Sequence, residues 1–217
     1  QSGRLEPESK RRGIWHMARI DRVAWPVHSR LRPAITGTTD SKRGQPMSLY
    51  AATIPVFQQI LGSVRGLIGK AETFCTENGL SPEAIIQARI AEDMFPFAYQ
   101  VKSTVVHSAG AIEGVRKGVF SPDFTEPPAT FEGLRVRVDE GLSALAALTA
   151  GEVDAFTGAD MRFEFRDISL PFTAENFLYS FSLPNFHFHA TTAYDILRMK
   201  GLPIGKRDYL GNMLIRT

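Results

Sequence analysis

Two histidines and an asparagine near the end of the chain are the residues best suited to bind a metal or a hydrogen-bonding ligand. His187 and His189 are two residues apart, which is about 200° around a helix, so they cannot coordinate one ion without distortion. Asn185 and His189 are four residues apart and share one helix face. His107, on an earlier helix, supplies a second imidazole. The spacing predicts a buried group of His107, Asn185 and His189.

The donor strength of this group separates two interpretations. A zinc site needs three strong nitrogen, sulfur or carboxylate donors, and the carboxamide of Asn185 is a weak donor. The favoured interpretation is therefore a buried hydrogen-bonded network of the two histidines with Asn185. The alternative is a weakly held divalent metal (zinc, nickel or manganese) with His107, Asn185 and His189 as its ligands.

Three further polar residues complete the candidate ligand pocket. Tyr194 is expected to be a core ring with a satisfied hydroxyl rather than a catalytic acid. Arg89 can pair with Asp93, and Arg207, after a Gly-Leu-Pro-Ile-Gly turn, can hold the C-terminus against the fold. In the functional alternative, Arg89 or Arg207 binds an anionic group at the pocket mouth. No serine lies in a nucleophile-elbow context and no glycine-rich loop is suited to a phosphate, so catalytic residues stay unassigned.

Helices must position these side chains, and apolar residues at steps of three and four predict four long ones. The last begins near Pro184 and is capped by Gly201. Thr173 can start a segment that reaches this helix as one kinked rod. The predicted helices, including one short helix, are 48–78, 81–90, a helix from about 93 or 95 to 117, 130–151 and 184–200.

Other patterns place the connections and the fold class. Between Asp160 and Thr173, apolar residues occupy every second position with one break, which predicts a short β-hairpin or an extended excursion. The proline-rich stretch 121–128 is expected to be a loop. Four long helices with one crossover and no internal repeat indicate an all-α fold, for which a four-helix bundle is the simplest fit.

Charge divides the chain near Met47. Residues 1–46 carry ten Lys/Arg against four Asp/Glu, whereas the rest carries 15 against 19. The net charge of +2 therefore comes from a basic arm in front of an acidic domain, 47–217, and does not predict nucleic-acid binding by that domain. No apolar run approaches the roughly 20 residues of a membrane span. The single cysteine, Cys75, excludes an internal disulfide and indicates a reducing, cytoplasmic compartment.

Three interpretations of residues 1–46 stay open. Prolines and a Gly-Thr-Thr-Asp-Ser run interrupt any regular period, so disorder is expected under all three. The arm can be non-native or translated upstream sequence, because Met47 resembles a natural start. It can also be an Arg-rich organellar targeting segment, or a basic arm that contacts an acidic partner such as nucleic acid.

Four motifs occur in order between Met47 and Gly211: M-S-L-Y, A-R-I-A-E-D-M-F-P, P-N-F-H-F-H-A-T-T-A-Y-D-I-L-R and G-K-R-D-Y-L-G. Together they resemble an uncharacterised domain-of-unknown-function family within the DinB/YfiT-like superfamily. The resemblance implies a four-helix bundle that binds a divalent metal through a histidine on the second helix and an H-x-x-x-H pair on the last. His107 and His189 match two of these positions, and Asn185 replaces the first histidine of the pair.

Two functions follow from the resemblance. The favoured one is a small-ligand-binding or non-catalytic bundle in which His107, Asn185 and His189 form a degenerate metal site. The alternative is a divalent-metal-dependent transferase or hydrolase, as some superfamily members are. A homodimer that pairs through helix faces and an unknown small molecule are the expected partners, and neither a membrane nor nucleic acid is expected for the domain.

Overall fold

The computed structural model describes residues 48–216, so the expectations for residues 1–46 and for Met47 lie outside the described residues. Ser48–Ile90 and the chain from Phe95 onwards belong to one compact unit. Ala91–Met94 is grouped apart from that unit. Within Ala91–Met94, the N–H of Met94 donates to the carbonyl of Ala91 at 3.0 Å and closes a turn.

Helix α1, Leu49–Glu77, begins and ends where local signals predict. The N–H of Ala51 donates to Ser48 Oγ at 3.0 Å, which satisfies one of the free amides of the first turn. At the other end, Gly79 takes φ 62°, a left-handed conformation that glycine adopts without strain. The prediction of a helix over 48–78 is therefore confirmed.

The single helix predicted over 93–117 is wrong, because two helices occupy this stretch. Helix α3 is Phe97–Val106 and helix α4 is Ala109–Lys117. Between them, Ser108 leaves the helical region at φ −118° and ψ −90°. Ser108 Oγ donates to the carbonyl of Thr104 at 2.7 Å and so competes with the helical hydrogen bonds of that carbonyl. His107 lies at the resulting break.

Two other helical segments are shorter than their apolar periodicity indicates. Helix α2, Glu83–Ile86, ends before the predicted end near Ile90. The helix predicted over 130–151 divides into two helices. Thr130 Oγ1 accepts from the N–H of Gly133 at 3.0 Å and starts its helix as predicted. The bounds are Glu83–Ile86 for α2, Phe131–Ala146 for α5 and Ala150–Asp154 for α6.

The last long helix is kinked, as predicted. Helix α7 (Ala174–Phe177), a π-helical turn (Leu178–Ser182) and helix α8 (Leu183–Met199) follow one another without a loop. Proline lacks an N–H and its ring displaces the carbonyl four residues earlier, so a wider turn just before Pro184 accommodates it. Gly201, at φ 88°, ends the helix as predicted.

Three strands form a small sheet in the order β1–β2–β3. Strands β2 (Asp160–Phe165) and β3 (Ile168–Thr173) are the predicted hairpin. Strand β1 (Val119–Phe120) was not predicted and pairs in parallel with β2. This pairing joins segments about 40 residues apart in the chain, which a local pattern does not reveal. The strand places Phe120 beside the imidazole of His107.

Four helical rods enclose the core, which confirms the bundle. Helix α1 packs against α5 and α8, and α3 packs against the same two helices, so the four form a closed ring. A short helix α9, Lys206–Leu210, lies on α1. Within residues 48–216, no helix has the length and apolarity of a membrane span. The largest fully buried side chains are Phe57, Phe97, Phe177, Phe186, Ile54, Leu61, Leu67, Ile68, Ile85, Ile86, Ile112 and Leu134.

Candidate functional site

His107 is a buried imidazole enclosed by aromatic rings. It lies at the break between α3 and α4, and only 7% of its surface is exposed. The centroid of its ring lies 5.5 Å from that of Phe120 and 5.8 Å from that of Phe181. The Nδ1 atom is buried and has no hydrogen-bond partner among the described residues. A buried nitrogen without a partner costs about 1–3 kcal/mol, so a donor that reached this atom would be stabilising.

His189, on α8, faces His107 across the bundle interior. The two ring centroids are 5.5 Å apart and the ring planes differ by 15°. The predicted meeting of two imidazoles from distant segments therefore occurs. The contact follows from the packing of α3 against α8, which lie side by side.

Gln100, on α3, fixes the tautomer of His189. Its Nε2 donates to the carbonyl of Phe95 at 2.9 Å, so its Oε1 is the atom that lies 2.7 Å from Nδ1 of His189. Because Oε1 can only accept, Nδ1 must carry the proton, and Nε2 of His189 keeps its lone pair. Sequence reasoning missed Gln100. Its position two helical turns before His107, on the same face of α3, is the signal that could have found it.

Burial keeps both imidazoles neutral. Burial and, to a smaller extent, the neighbouring His189 together lower the pKa of His107 to about 3. Burial alone lowers the pKa of His189 to about 4. Removing a cation from water is costly, so at neutral pH each ring is an uncharged group with one acceptor nitrogen.

Two irregular backbone segments meet at this site. The helix break that follows His107 lies against the π-helical turn, and Ser182 Oγ of that turn donates to the carbonyl of His107 at 2.7 Å. Ser182 is fully buried. The bond satisfies a carbonyl that the break would otherwise leave without a donor. Single π-helical turns occur often at functional sites, and here the turn holds the backbone of His107 in place.

Asn185 is half-buried one helical turn before His189. Its Nδ2 donates to the carbonyl of Phe181 at 2.7 Å, so its nitrogen serves the kinked backbone, and its Oδ1 takes no part in that bond. The bond shown for Asn185 thus goes to the backbone and not to a histidine, and Gln100, which the predicted network did not include, holds His189.

Residues 49–210 match a family described as a domain of unknown function, DUF1993. The chain belongs to the DUF1993 family. The crystal structure of a DinB family member protein from Shewanella denitrificans is similar, with 26% sequence identity and a TM-score of 0.65 over 78% of this chain and 95% of that chain. The resemblance to an uncharacterised family in the DinB-like superfamily is confirmed. No curated protein matches the chain.

Tyr194 belongs to a second cluster on the DUF1993 fold, away from the imidazole pair. Its ring meets that of Tyr209 with centroids 6.1 Å apart. The hydroxyl of Tyr209 lies 3.4 Å from Nδ1 of His187 and accepts from Oγ1 of Thr191 at 3.2 Å. These contacts attach α9 to α8 and give His187 a structural partner of its own.

The structure places Arg89 and Arg207 on the exposed surface of the DUF1993 domain. Around Arg207, α9 is held to α1 by the Lys70–Asp208 ion pair. Gln59 Nε2 also donates to the carbonyl of Leu210 at 2.7 Å. These bonds agree with the interpretation of the charged run at 206–208 as an anchor for the C-terminal segment.

The side chains near the imidazole pair do not fit a tightly held metal ion. Within residues 48–216, no three His, Cys, Asp or Glu side chains lie together as ligands. The pair supplies two nitrogen donors, and Asn185 could add only a weak oxygen. An uncharged ligand set also leaves the charge of a divalent ion unbalanced in a buried site.

A cavity of about 350 Å³ between α4 and α5 is a separate feature. Neither imidazole lines it. Its charged rim is paired within itself, because Arg116 contacts Glu113 and Glu152, and Arg137 lies 3.6 Å from Glu140. The rim therefore offers no unpaired charge that would select a ligand.

Proposed function

We propose that this protein binds a small organic ligand at the half-buried side of the His107–His189 pair, next to His189, and is not a catalyst. The supporting observation is a pair of neutral imidazoles 5.5 Å apart, one oriented by Gln100 and the other with a ring nitrogen that lacks a partner. Both rings offer acceptor nitrogens. A ligand N–H or O–H that reached them would recover hydrogen bonds that the folded chain leaves unmade.

The site opens towards the surface on one side. His189 and the nearby Asn185 are half-buried, whereas His107 is buried. A ligand that approaches from the solvent would thus meet His189 before it meets His107. Binding needs no ionisation, because burial holds the pKa of each imidazole well below neutral pH.

The test is a titration of the purified full chain with a panel of neutral polar fragments. Long-range ¹⁵N–¹H NMR spectra of the histidine rings would report the binding atom. We expect the Nε2 resonance of His189 to move in a saturable, 1:1 manner. His189→Ala should abolish binding, whereas His187→Ala, which alters an imidazole of the Tyr209 cluster, should retain it. No movement of any His189 resonance would refute the proposal.

A metal-dependent transferase or hydrolase is the second proposed function. The Gln100–His189 hydrogen bond favours it, since metal-ligating histidines usually donate their other N–H to a fixed acceptor. The same sample titrated with zinc, nickel or manganese at micromolar concentration separates the two. Stoichiometric metal that is lost in His189→Ala would support the enzyme and reject the first proposal.

A homodimer and a cytoplasmic location are proposed on the family resemblance and the single cysteine. The thiol of Cys75 is buried and its pKa is raised by burial, which is typical of an inert core side chain. Analytical ultracentrifugation would distinguish the 24.0 kDa chain from a species of twice that mass.

A further inference from the structure

Phe124 is a large apolar side chain that the fold holds in an exposed position. It lies in the proline-rich loop between β1 and α5 and is 51% exposed. The residues on either side of it are bound by Lys102 of α3, whose side chain is only 3% exposed. The ammonium group contacts the carboxylate of Asp123 at 3.0 Å and donates to the carbonyls of Asp123 and Thr125 at 2.9 Å and 2.5 Å. A buried cation is tolerated only when it is well paired, so these bonds fix the backbone on both sides of Phe124.

A second set of bonds makes the same loop rigid. Asp123 Oδ1 accepts from the N–H and from Oγ1 of Thr125 at 2.9 Å and 2.6 Å. These bonds explain the shape of the loop, but they would form equally well with a small polar residue in place of Phe124. Aromatic side chains often anchor protein interfaces, and a rigid one loses little entropy on binding. Phe124 therefore has the properties of an anchor for a partner.

The ring of Phe124 continues an apolar surface on one face of the β2–β3 hairpin. It packs against Phe165 with centroids 5.4 Å apart. Across the two strands, Phe165 pairs with Ile168 and Phe163 pairs with Leu170. Directly paired residues share a face, and so do residues two apart in a strand. Phe163 is buried, whereas Leu170 is 43% exposed. The hairpin patch is defined here as Phe124, Phe165, Ile168 and Leu170.

Two opposite charges lie beside the hairpin patch, in the turn of the hairpin. Arg166 and Asp167 are exposed, and neither forms an ion pair with another residue of 48–216. The guanidinium carbon of Arg166 lies 5.1 Å from the centroid of the Phe165 ring, so this charge borders the patch directly. Arg166 has a φ of 50°, which glycine or asparagine adopts at lower cost. The backbone of the turn therefore does not explain an arginine at this position.

We infer that two copies of this chain pair through the hairpin patch. The patch has an apolar centre and one charge of each sign, so it is complementary to itself, whereas a partner of a single charge would leave Arg166 or Asp167 unpaired. In a two-fold symmetric pair each contact is made twice. Phe124 and Leu170 of each copy pack against the other copy, and Arg166 of each pairs with Asp167 of the other. Apolar burial drives the pairing and the charges set its orientation.

The inference rests on the proposed homodimer and places its interface on the hairpin rather than on a helix face. It is independent of the ligand proposed at His189.

Sedimentation of the full chain tests the hairpin patch. We expect a dimer of the 24.0 kDa chain at micromolar concentration. Phe124→Asp should weaken the dimer at least about tenfold, because it buries a carboxylate among apolar side chains. Met199→Asp is the matched control, since Met199 is also 51% exposed but lies on α8, outside the patch. This control should keep the dimer.

Charge reversal tests the predicted ion pairs. Arg166→Asp and Asp167→Arg should each weaken the dimer, because each variant places like charges opposite one another. The double variant Arg166→Asp/Asp167→Arg should restore it, and so should an equimolar mixture of the two single variants. Restoration requires that residue 166 of one copy meets residue 167 of the other. Both positions are exposed, and equal denaturation midpoints would show that the fold of each variant is intact.

The outcomes separate this inference from the other proposals. A dimer that survives Phe124→Asp would keep the homodimer and overturn the hairpin patch as its interface. Single reversals without effect, or a double variant that stays weak, would overturn it as well. A chain that is still monomeric at about 100 μM would refute both the interface and the homodimer. None of these results affects the ligand proposal, which the histidine NMR titration decides separately.

Discussion

At the scale of single residues, Gln100 determines which nitrogen of His189 is available. Its amide is held at both ends, by the carbonyl of Phe95 and by Nδ1 of His189, and only 2% of the residue is exposed. A rigid acceptor of this kind orients an imidazole more firmly than water would, because it cannot exchange or rotate. Gln100 is thus a positioning residue for the proposed ligand.

Replacing Gln100 should allow the proton of the neutral His189 ring to occupy either Nδ1 or Nε2. In Gln100→Leu, we expect ¹⁵N shifts of His189 to change from a single Nδ1–H form to a mixture, because the fixed acceptor is gone. Gln87→Leu, at an exposed position after α2, is the matched control and should leave the His189 shifts unchanged. An unchanged tautomer in Gln100→Leu would contradict this role.

The buried imidazoles should make stability depend on pH. In the unfolded chain a histidine titrates near pH 6.5, whereas burial lowers the pKa of His107 to about 3 and that of His189 to about 4 in the folded chain. From pH 6.5 to about pH 4 the unfolded chain binds protons that the folded chain excludes. Stability is therefore highest above pH 6.5 and falls as the pH drops, by about 1.4 kcal/mol per pH unit for each histidine.

A variant at His107 measures how much this residue contributes to the pH dependence of stability. His107→Phe should reduce the slope of unfolding free energy against pH by about 1.4 kcal/mol per unit between pH 5 and 6, measured by chemical denaturation. At pH 7 the variant should be at least as stable as the parent, because the unpartnered Nδ1 is gone. Identical slopes in the two proteins would show that His107 is not held neutral by burial.

At the scale of elements, the α3–α4 break and the π-helical turn stabilise each other. Each interrupts a regular hydrogen-bond ladder, and the Ser182–His107 bond connects the two interruptions in the interior. Pro184 explains the turn and Ser108 explains the break, yet neither residue by itself predicts that the two irregularities will face one another. The contact between the two irregular segments fixes the backbone position of His107 and thus the place of its imidazole.

Two serine variants test this contact. Ser182→Ala should lower the free energy of unfolding by about 1–3 kcal/mol, since it leaves the carbonyl of His107 buried without its donor. Ser180→Ala is the control within the same turn. Ser180 is exposed and its hydroxyl donates to the carbonyl of Asn176 in the same helix, so its loss should cost less than about 0.5 kcal/mol. Equal losses in thermal or chemical denaturation would mean that the buried bond has no special importance.

At the scale of the whole molecule, Gly141 lies where three helices of the bundle approach one another closely. A methyl group on this residue of α5 would lie 2.9 Å from Val105 Cγ1 on α3 and 3.2 Å from Leu61 Cδ2 on α1. Both distances are shorter than ordinary van der Waals contact. Because glycine has no side chain, α5 can lie this close to α1 and α3. The distance of α3 from its neighbours near the imidazole pair therefore depends on Gly141.

Paired glycine-to-alanine substitutions measure that constraint. Gly141→Ala should destabilise the protein by about 1–2 kcal/mol, because overpacking outweighs the gain in helix propensity. Gly62→Ala, at an exposed position of α1 with nothing within 4 Å, should stabilise it by up to about 1 kcal/mol. Denaturant midpoints of the two variants should therefore move in opposite directions. A stabilised Gly141→Ala variant would show that the bundle can expand at this point without cost.

The sequence by itself determined the features that local physics controls. The cap at Ser48, the kink before Pro184, the left-handed end at Gly201 and the alternation between Asp160 and Thr173 each depend on a few neighbouring residues, and each occurs as predicted. Helical spacing also placed His187 and His189 on different faces, and each has a different partner. The meeting of His107 with His189 was expected from the bundle and the family resemblance.

Only the tertiary structure decided the features that join distant segments. Strand β1 pairs with a partner about 40 residues away, Ser182 supplies a donor to the carbonyl of His107 at the break after α3, and Gln100 rather than Asn185 orients His189. In each case a non-local bond outweighs a local preference worth only a few tenths of a kcal/mol per residue. Such a bond exists only after the chain has brought its partners together, so no window of sequence contains it.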